Sequence, residues 1–260
     1  MKIDNVIVSV DEKDLYTSYW PYFSEVWDHF GIHPILIYVT KDISLPFPHP
    51  SKFGEIIPVT EVGYPMYESL VCRHLAAAVI PGLNFTTDID LFLCDRKLVD
   101  ILESKMTKDA IGAYHMALFA PSLLVASQQL FHDIYTANDI LVTRDCFWSK
   151  EIIDKLTQIS GYDYKGYGED GQQLTRCIKK YKQTNFLPVV PIDATHFKSV
   201  LLPYQRWESK RYPTIEDILA NRSNWNFDGI RNGSIWQIHI QRDETKELTA
   251  YICDVILGRR

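Results

Sequence analysis

Long apolar runs, paired cysteines and an excess of basic residues are all missing from this chain of 260 residues. No stretch reaches the roughly eighteen apolar residues that span a bilayer, and the acidic start lacks the order of a signal peptide. The net charge of -6 argues against a general nucleic-acid-binding protein. We therefore expect a cytoplasmic chain with no transmembrane segment and no nucleic-acid partner. Five single cysteines without CxxC spacing argue against a disulfide framework or a zinc knuckle: Cys72, Cys94, Cys146, Cys177 and Cys253.

Apolar residues at the start of the chain predict a βαβ unit. A β-branched run at residues 6–10 precedes helical spacing over residues 15–30 and a second apolar run at residues 34–39. Parallel strands joined by a right-handed crossover are typical of α/β folds. The length and the 46% hydrophobic content fit one domain. We predict a single α/β, Rossmann-like domain over residues 1–260, with a mixed, mostly parallel central sheet flanked by helices.

Later segments continue this pattern less regularly. The helix predicted at residues 66–80 carries Ser69 and Arg73 on its polar face. A loop rich in glycine and tyrosine is predicted at residues 161–171. Further helices are predicted at residues 96–103, 149–158 and 172–181, and further strands at residues 55–59, 83–87, 110–114, 117–119, 186–192, 235–240 and 251–256.

Two aspartates, Asp88 and Asp90, directly follow the strand predicted at residues 83–87. Open α/β sheets bind their ligands at the carboxyl ends of such strands. Carboxylates this close repel each other unless a positive charge meets them, and a divalent cation supplies that charge. Oxygen ligands favour a hard ion such as Mg²⁺ or Mn²⁺. The pair therefore predicts a metal site, although Asp-x-Asp is also common by chance.

The order of elements around Asp88-Ile89-Asp90 is the basis of a family resemblance. An opening strand and helix come first, a helix bearing Arg73 lies upstream, and a strand then leads into the two aspartates. In this order residues 1–120 resemble the nucleotide-sugar-binding half of the GT-A glycosyltransferases, which leaves residues 121–260 as the acceptor-binding half. The resemblance implies Mn²⁺ or Mg²⁺ and donor diphosphate at Asp88 and Asp90. It also implies donor contacts at Arg73, Ser9, Val10 and Tyr38.

A second acidic segment, Gly168-Glu169-Asp170-Gly171, opens a predicted helix. The resemblance implies that an acidic residue here deprotonates the acceptor hydroxyl in inverting members, with Asp170 preferred to Glu169. Desolvation suits a carboxylate to that task because it raises the pKa towards the working pH. The alternative is a helix N-terminus, where the dipole and free amides favour acidic residues. Without a carboxylate opposite the leaving group, the reaction would retain the anomeric configuration.

Histidines and aromatic residues complete the predicted site. The resemblance implies a histidine near the carboxyl end of the domain as a further metal or diphosphate ligand, and His239 is preferred to His196. A single histidine is more often structural than a ligand. Tyr167 and Trp207 lie in polar loops, where their rings would stack on an acceptor sugar, although most aromatic residues belong to cores.

Together these features predict a hexosyltransferase that moves a sugar from a nucleotide diphosphate donor, with UDP favoured by the resemblance, to a glycan or other hydroxyl acceptor. A sugar nucleotidyltransferase is disfavoured because Asp11-Glu12-Lys13 follows the first strand where a glycine-rich triphosphate loop would lie. A phosphoaspartate hydrolase would carry its aspartates after the first strand. A non-catalytic carbohydrate-binding protein of the same fold remains an alternative.

Overall fold

The computed structural model describes residues 1–113, 123–160, 169–192, 227–234, 237–239 and 246–260. Within these ranges the strands are β1 (Asn5–Val10), β2 (His33–Thr40), β3 (Glu55–Thr60), β4 (Leu83–Thr87), β5 (Leu91–Leu93), β6 (Ile111–Ala113), β7 (Leu123–Ser127), β8 (Val189–Pro191) and β9 (Gln237–His239). The helices are α1 (Asp14–Thr17), α2 (Trp20–His29), α3 (Pro65–Ala77), α4 (Lys97–Lys105), α5 (Gln128–Thr136), α6 (Lys150–Ser160), α7 (Glu169–Lys182), α8 (Phe227–Arg231) and α9 (Lys246–Ile256).

Seven of these strands form one sheet in the order β3-β2-β1-β4-β7-β6-β8. Strands β1, β2, β3 and β4 run parallel to one another, and β8 runs parallel to β6. Strand β7 is antiparallel to both β4 and β6. Because β7 alone is reversed within this sheet, the predicted mixed, mostly parallel α/β architecture is confirmed.

Apolar side chains cover both faces of the sheet, as parallel strands require. Successive residues of β1 alternate between two core clusters, with Val6 and Val8 in one and Ile7 in the other. The first cluster includes buried residues of α2, α4 and α9. The second includes residues of α3, α5, α6 and α7. Helices therefore lie on both faces of the sheet, and its carboxyl edge is left to carry a site.

The carboxyl ends of β1, β2 and β4 meet at that edge. Val10 is paired with Tyr38 across β1 and β2. Ile7 is paired with Thr86 across β1 and β4. Ser9 lies two residues after Ile7, and Asp88 lies two residues after Thr86, so Ser9 and Asp88 are level with each other. The positions predicted to bind donor therefore lie at one level of the sheet.

Two predicted elements need correction. Residues 251–256, predicted as a strand, belong to helix α9 (Lys246–Ile256), because Tyr251, Ile252 and Val255 follow helical spacing and are buried. The helix predicted at residues 15–30 is divided into α1 and α2, with Pro21 in the first turn of α2, where proline is tolerated. The strand predicted at residues 117–119 lies outside the described residues. No helix within the described ranges is long and apolar enough to cross a membrane.

Candidate functional site

The turn between β4 and β5 carries the two predicted metal ligands. Asp88 follows the last residue of β4, and the amide of Leu91 donates to its carbonyl at 3.1 Å, which closes the turn. Ile89 is buried in the core, whereas Asp88 and Asp90 on either side are partly exposed. The buried isoleucine therefore anchors a turn that presents both aspartates at the carboxyl edge of the sheet.

Arg73 of helix α3 reaches across to this turn. Its Nη1 donates to Asp88 Oδ1 at 2.6 Å and to the carbonyl of Thr87 at 3.2 Å. The Arg73 side chain is 3% exposed and that of Asp88 is 32% exposed. A charge-assisted bond this short is strong, and it offsets part of the repulsion between the aspartates. The helical pattern predicts that Arg73 lies on a polar face of α3. In the structure Arg73 is instead a buried member of the site.

His74, the next residue of α3, contacts the same guanidinium. Arg73 Nε donates to His74 Nε2 at 3.5 Å, and His74 is 1% exposed. Burial, and then the charge of Arg73, holds the pKa of His74 well below its ordinary value. His74 is therefore neutral at physiological pH. The sequence pattern gave no signal for this contact.

The three predicted nucleoside contacts lie together but are nearly buried. The Ser9 hydroxyl donates to the carbonyl of Ser69, which ties the end of β1 to helix α3. Val10 lies in the core, and the Tyr38 ring meets Phe47 edge to face at 4.9 Å. Burial raises the pKa of the Tyr38 hydroxyl, so it remains a protonated donor. Nucleoside contacts at these residues stay a prediction.

Two further carboxylates lie beside these residues just after β1. Asp11 is buried and pairs with Lys13 at 3.0 Å. Glu12 accepts hydrogen bonds from the Thr40 hydroxyl at 2.7 Å and the Lys41 amide at 2.9 Å, and the amide bond is the main reason that its pKa is lowered. Asp11 was not among the predicted site residues. Its position directly after the parallel strand β1 is the sequence signal that could have identified it as a candidate.

The short pairing of β5 with β9 brings His239 into register with the aspartates. The strands are antiparallel, and Leu91, the residue after Asp90, is paired with His239. The backbone thus places His239 next to the turn, although its side chain lies outside the described residues. Its role as a ligand stays a prediction, and His196 also lies outside them.

The two candidate bases, Glu169 and Asp170, are the first two residues of helix α7. The helix begins three residues before the predicted residue 172, so residues 169–171 are helical where a loop was predicted. This position is compatible with both interpretations of the acidic residues, since acidic groups are favoured at a helix N-terminus. Their side chains lie outside the described residues, as do Tyr167 and Trp207. The roles of all four as base or acceptor platform stay predictions.

The donor set around the turn fits a hard divalent cation. A carboxylate has about four lone-pair sites, so the bond from Arg73 to Asp88 does not exclude a second positive partner. Asp88 and Asp90 would supply the oxygen ligands that Mg²⁺ or Mn²⁺ prefers, and the register places the backbone of His239, the predicted nitrogen ligand, nearby. Among the side chains that the structure describes, no group of three histidine, cysteine or acidic residues forms a complete metal cluster.

The mixed α/β sheet flanked by helices is shared with solved structures of glycosyltransferases. The galactosyltransferase LgtC, crystallised with donor and acceptor sugar analogues, matches with a TM-score of 0.52 at 12% identity, over 98% of this chain and 95% of that chain. An active-site mutant of LgtC gives a TM-score of 0.50 at 12% identity, over 98% of this chain and 95% of that one.

The apo form of the glycosyltransferase GlyE from Streptococcus pneumoniae also matches with a TM-score of 0.50 at 12% identity, over 99% of this chain and 63% of that chain. This chain therefore spans less than two thirds of the GlyE structure. No protein-family model and no curated protein sequence matches the chain. At this level of identity, the likenesses show a shared fold.

Proposed function

We propose that this protein is a metal-dependent glycosyltransferase that moves a hexose from a UDP-linked donor to a hydroxyl of a glycan or small acceptor. The observation that carries the proposal is the Arg73–Asp88 pair, 2.6 Å long, beside Asp90 at the carboxyl end of β4. A fold shared with glycosyltransferases supports the reaction class. The fold alone does not define a substrate, so the donor and the acceptor belong to the proposal.

Charge at the site suits a nucleotide diphosphate. A diphosphate brings negative charge next to two carboxylates, so it binds only if positive groups lie between them. Arg73 supplies one such group from a buried position. Asp88 and Asp90, with His239 as a further ligand, would hold Mn²⁺ or Mg²⁺, which as a Lewis acid stabilises the charge that develops on the leaving diphosphate. The buried guanidinium then needs no reorganisation when that charge appears.

Asp170 in the first turn of α7 is the proposed base on the acceptor side. It would take the proton of the acceptor hydroxyl as that oxygen attacks the anomeric carbon, which inverts the configuration. Glu169 is the alternative base. A product of retained configuration would assign Asp170 and Glu169 to the helix N-terminus instead.

The carboxylates after β1 disfavour a sugar nucleotidyltransferase. Glu12 is held in place by Thr40 and Lys41, and Asp11 is held by Lys13. Two fixed negative groups occupy the position where such an enzyme needs backbone amides for a triphosphate. A non-catalytic carbohydrate-binding protein has no observation in its favour, and the experiment below separates it.

The test is a panel of nucleotide sugars with and without Mn²⁺, assayed for nucleotide release by the wild type and by Asp90→Ala. We expect metal-dependent release of UDP from one donor, with at least a 100-fold loss in the variant. Glu61→Ala, which changes a partly exposed carboxylate after β3, is the control and should leave release unchanged. Release that is equal with and without metal, or equal in Asp90→Ala, contradicts the proposal. Glycan binding without any release indicates the non-catalytic alternative.

A further inference from the structure

We infer that His74 is a positioning residue for Arg73, which it holds in the orientation that reaches Asp88 and the donor. This inference rests on the proposed function for its catalytic consequence, but the contact itself is independent of it. Nothing in the GT-A resemblance of the sequence pointed to this histidine.

The geometry fixes the guanidinium from two sides. On one side Arg73 Nε donates to His74 Nε2 at 3.5 Å. On the other side Nη1 donates to Asp88 and to the carbonyl of Thr87 at the end of β4. Because a guanidinium is a planar, rigid fork, a bond at Nε sets the plane in which Nη1 can point. The long His74 contact therefore favours the orientation in which Nη1 meets Asp88.

Helix geometry does not produce this contact by default. Consecutive helical residues point about 100° apart, so their side chains do not normally face each other. Arg73 and His74 are nevertheless both nearly inaccessible to solvent and bonded to each other. The long arginine side chain must bend back over its neighbour, which places the guanidinium between helix α3 and the turn after β4.

The protonation state of His74 agrees with this role. Its Nε2 accepts a hydrogen bond from the Arg73 Nε–H group, so the neutral ring carries its own hydrogen on Nδ1. That Nδ1 atom is buried, and no hydrogen-bond partner for it lies within the described part of the chain. A buried N–H without an acceptor lowers stability, and an apolar residue of similar size would not carry that cost. The acceptor at Nε2 gives a reason for a histidine at this position.

Three substitutions of His74 separate positioning from packing. The amide of glutamine reaches the place of Nε2 and the amide of asparagine reaches that of Nδ1, while leucine fills the space without an acceptor. We expect His74→Leu and His74→Asn to lower kcat/KM roughly tenfold or more, with a raised KM for the donor. His74→Gln should recover most of that loss. Leu75→Ala, a cavity in the same helix, is the control for lost stability and should not raise the donor KM.

A second readout needs no activity. In ¹⁵N NMR spectra of the substrate-free protein, we expect the Nδ1–H tautomer for His74 and a slowly exchanging Nε–H signal for Arg73, assigned with Arg73→Lys. That signal should be lost or fast-exchanging in His74→Leu and kept in His74→Gln. An Nε2–H tautomer, or an Arg73 signal unchanged in His74→Leu, overturns the inference. If the wild type releases no nucleotide from any donor, the proposed function fails while these spectra still decide the role of His74.

Discussion

Helix α3 buries a charge near each end, and the two charges serve different purposes. Glu68 is fully buried and accepts from the amides of Val62 and Tyr64, at 2.9 and 2.6 Å, in the loop just before the helix. Arg73 crosses to another element and meets Asp88, whose side chain is 32% exposed. A buried charge with local backbone partners stabilises a loop. A buried charge with a partly exposed partner lies within reach of a ligand, which is the role that we propose for Arg73.

The largest expected effect is the loss of activity on substitution of Asp90, which lies in the partly exposed turn that Arg73 reaches. Asp90→Asn removes a carboxylate at the turn after β4 and keeps its shape. We expect activity to fall by about 10²- to 10³-fold, or about 3 to 4 kcal/mol of transition-state stabilisation. The free energy of unfolding should change by less than about 1 kcal/mol because Asp90 is partly exposed. Initial rates and urea titrations measure the two effects, and equal loss of both would make Asp90 structural.

Arg73 should affect both properties. Arg73→Leu leaves Asp88 without its buried partner, and we expect unfolding to cost about 1 to 3 kcal/mol less, below the range for fully buried pairs because Asp88 is partly exposed. Activity should fall by roughly 10- to 100-fold. Arg73→Lys keeps the charge without the planar fork, so it should regain stability more than activity. Full activity in Arg73→Lys would contradict the positioning argument.

Glu68 should affect stability alone. Glu68→Ala leaves the Val62 and Tyr64 amides of the loop before α3 without their acceptor, which we expect to cost about 1 to 3 kcal/mol in urea titrations. Donor KM, measured well below the melting temperature, should stay within about twofold of wild type. A donor KM raised as much as in Arg73→Leu would remove the contrast between the two ends of the helix.

The contribution of Glu68 to the stability of the fold should depend on pH. Burial raises the pKa of this carboxyl above its ordinary value of 4.5, against the lowering effect of the amide bonds. An acid whose folded-state pKa is raised binds its proton more tightly when folded, so it favours folding most below pH 4.5 and loses that contribution as pH rises through the folded value. The stability of wild type relative to Glu68→Gln should therefore fall as pH rises from 4 to 7. A relative stability that rises over this range would show that the amide bonds outweigh burial.

The smallest effect is expected where a charge pair is exposed. Lys180 and Asp139 lie 3.1 Å apart, with side chains 49% and 91% exposed. Lys180→Ala should change the free energy of unfolding by no more than about 0.5 kcal/mol and leave activity unchanged. Thermal unfolding and initial rates check both values. A shift as large as that of Arg73→Leu would mean that ion-pair geometry, and not burial, sets these energies.

Hydrophobic periodicity predicted the architecture and the place of the aspartates. The runs that became β1 and β2 are rich in apolar residues, whereas β4 is a short strand with two apolar residues, Leu83 and Phe85, and the position of Asp88 follows from its end. The fold class was therefore predictable, because burial on both faces leaves a strong pattern in parallel strands.

What the pattern did not predict depends on contacts between distant residues. A charged residue such as Arg73 scores as solvent-facing on any helical pattern, and only the tertiary partner Asp88 explains its burial. The contact from His74 has no sequence signal for the same reason. The reversed β7 and the helix at Lys246–Ile256 also depend on tertiary packing, since short apolar runs fit either a strand or a helix.

The most direct test of the site is a Mn²⁺ titration followed by electron paramagnetic resonance, with and without UDP, on the wild type and Asp90→Asn. The account predicts that UDP tightens Mn²⁺ binding in the wild type, because nucleotide and cation share the turn after β4, and that this coupling is lost in the variant. Mn²⁺ binding unaffected by UDP, or identical in the two proteins, would contradict it.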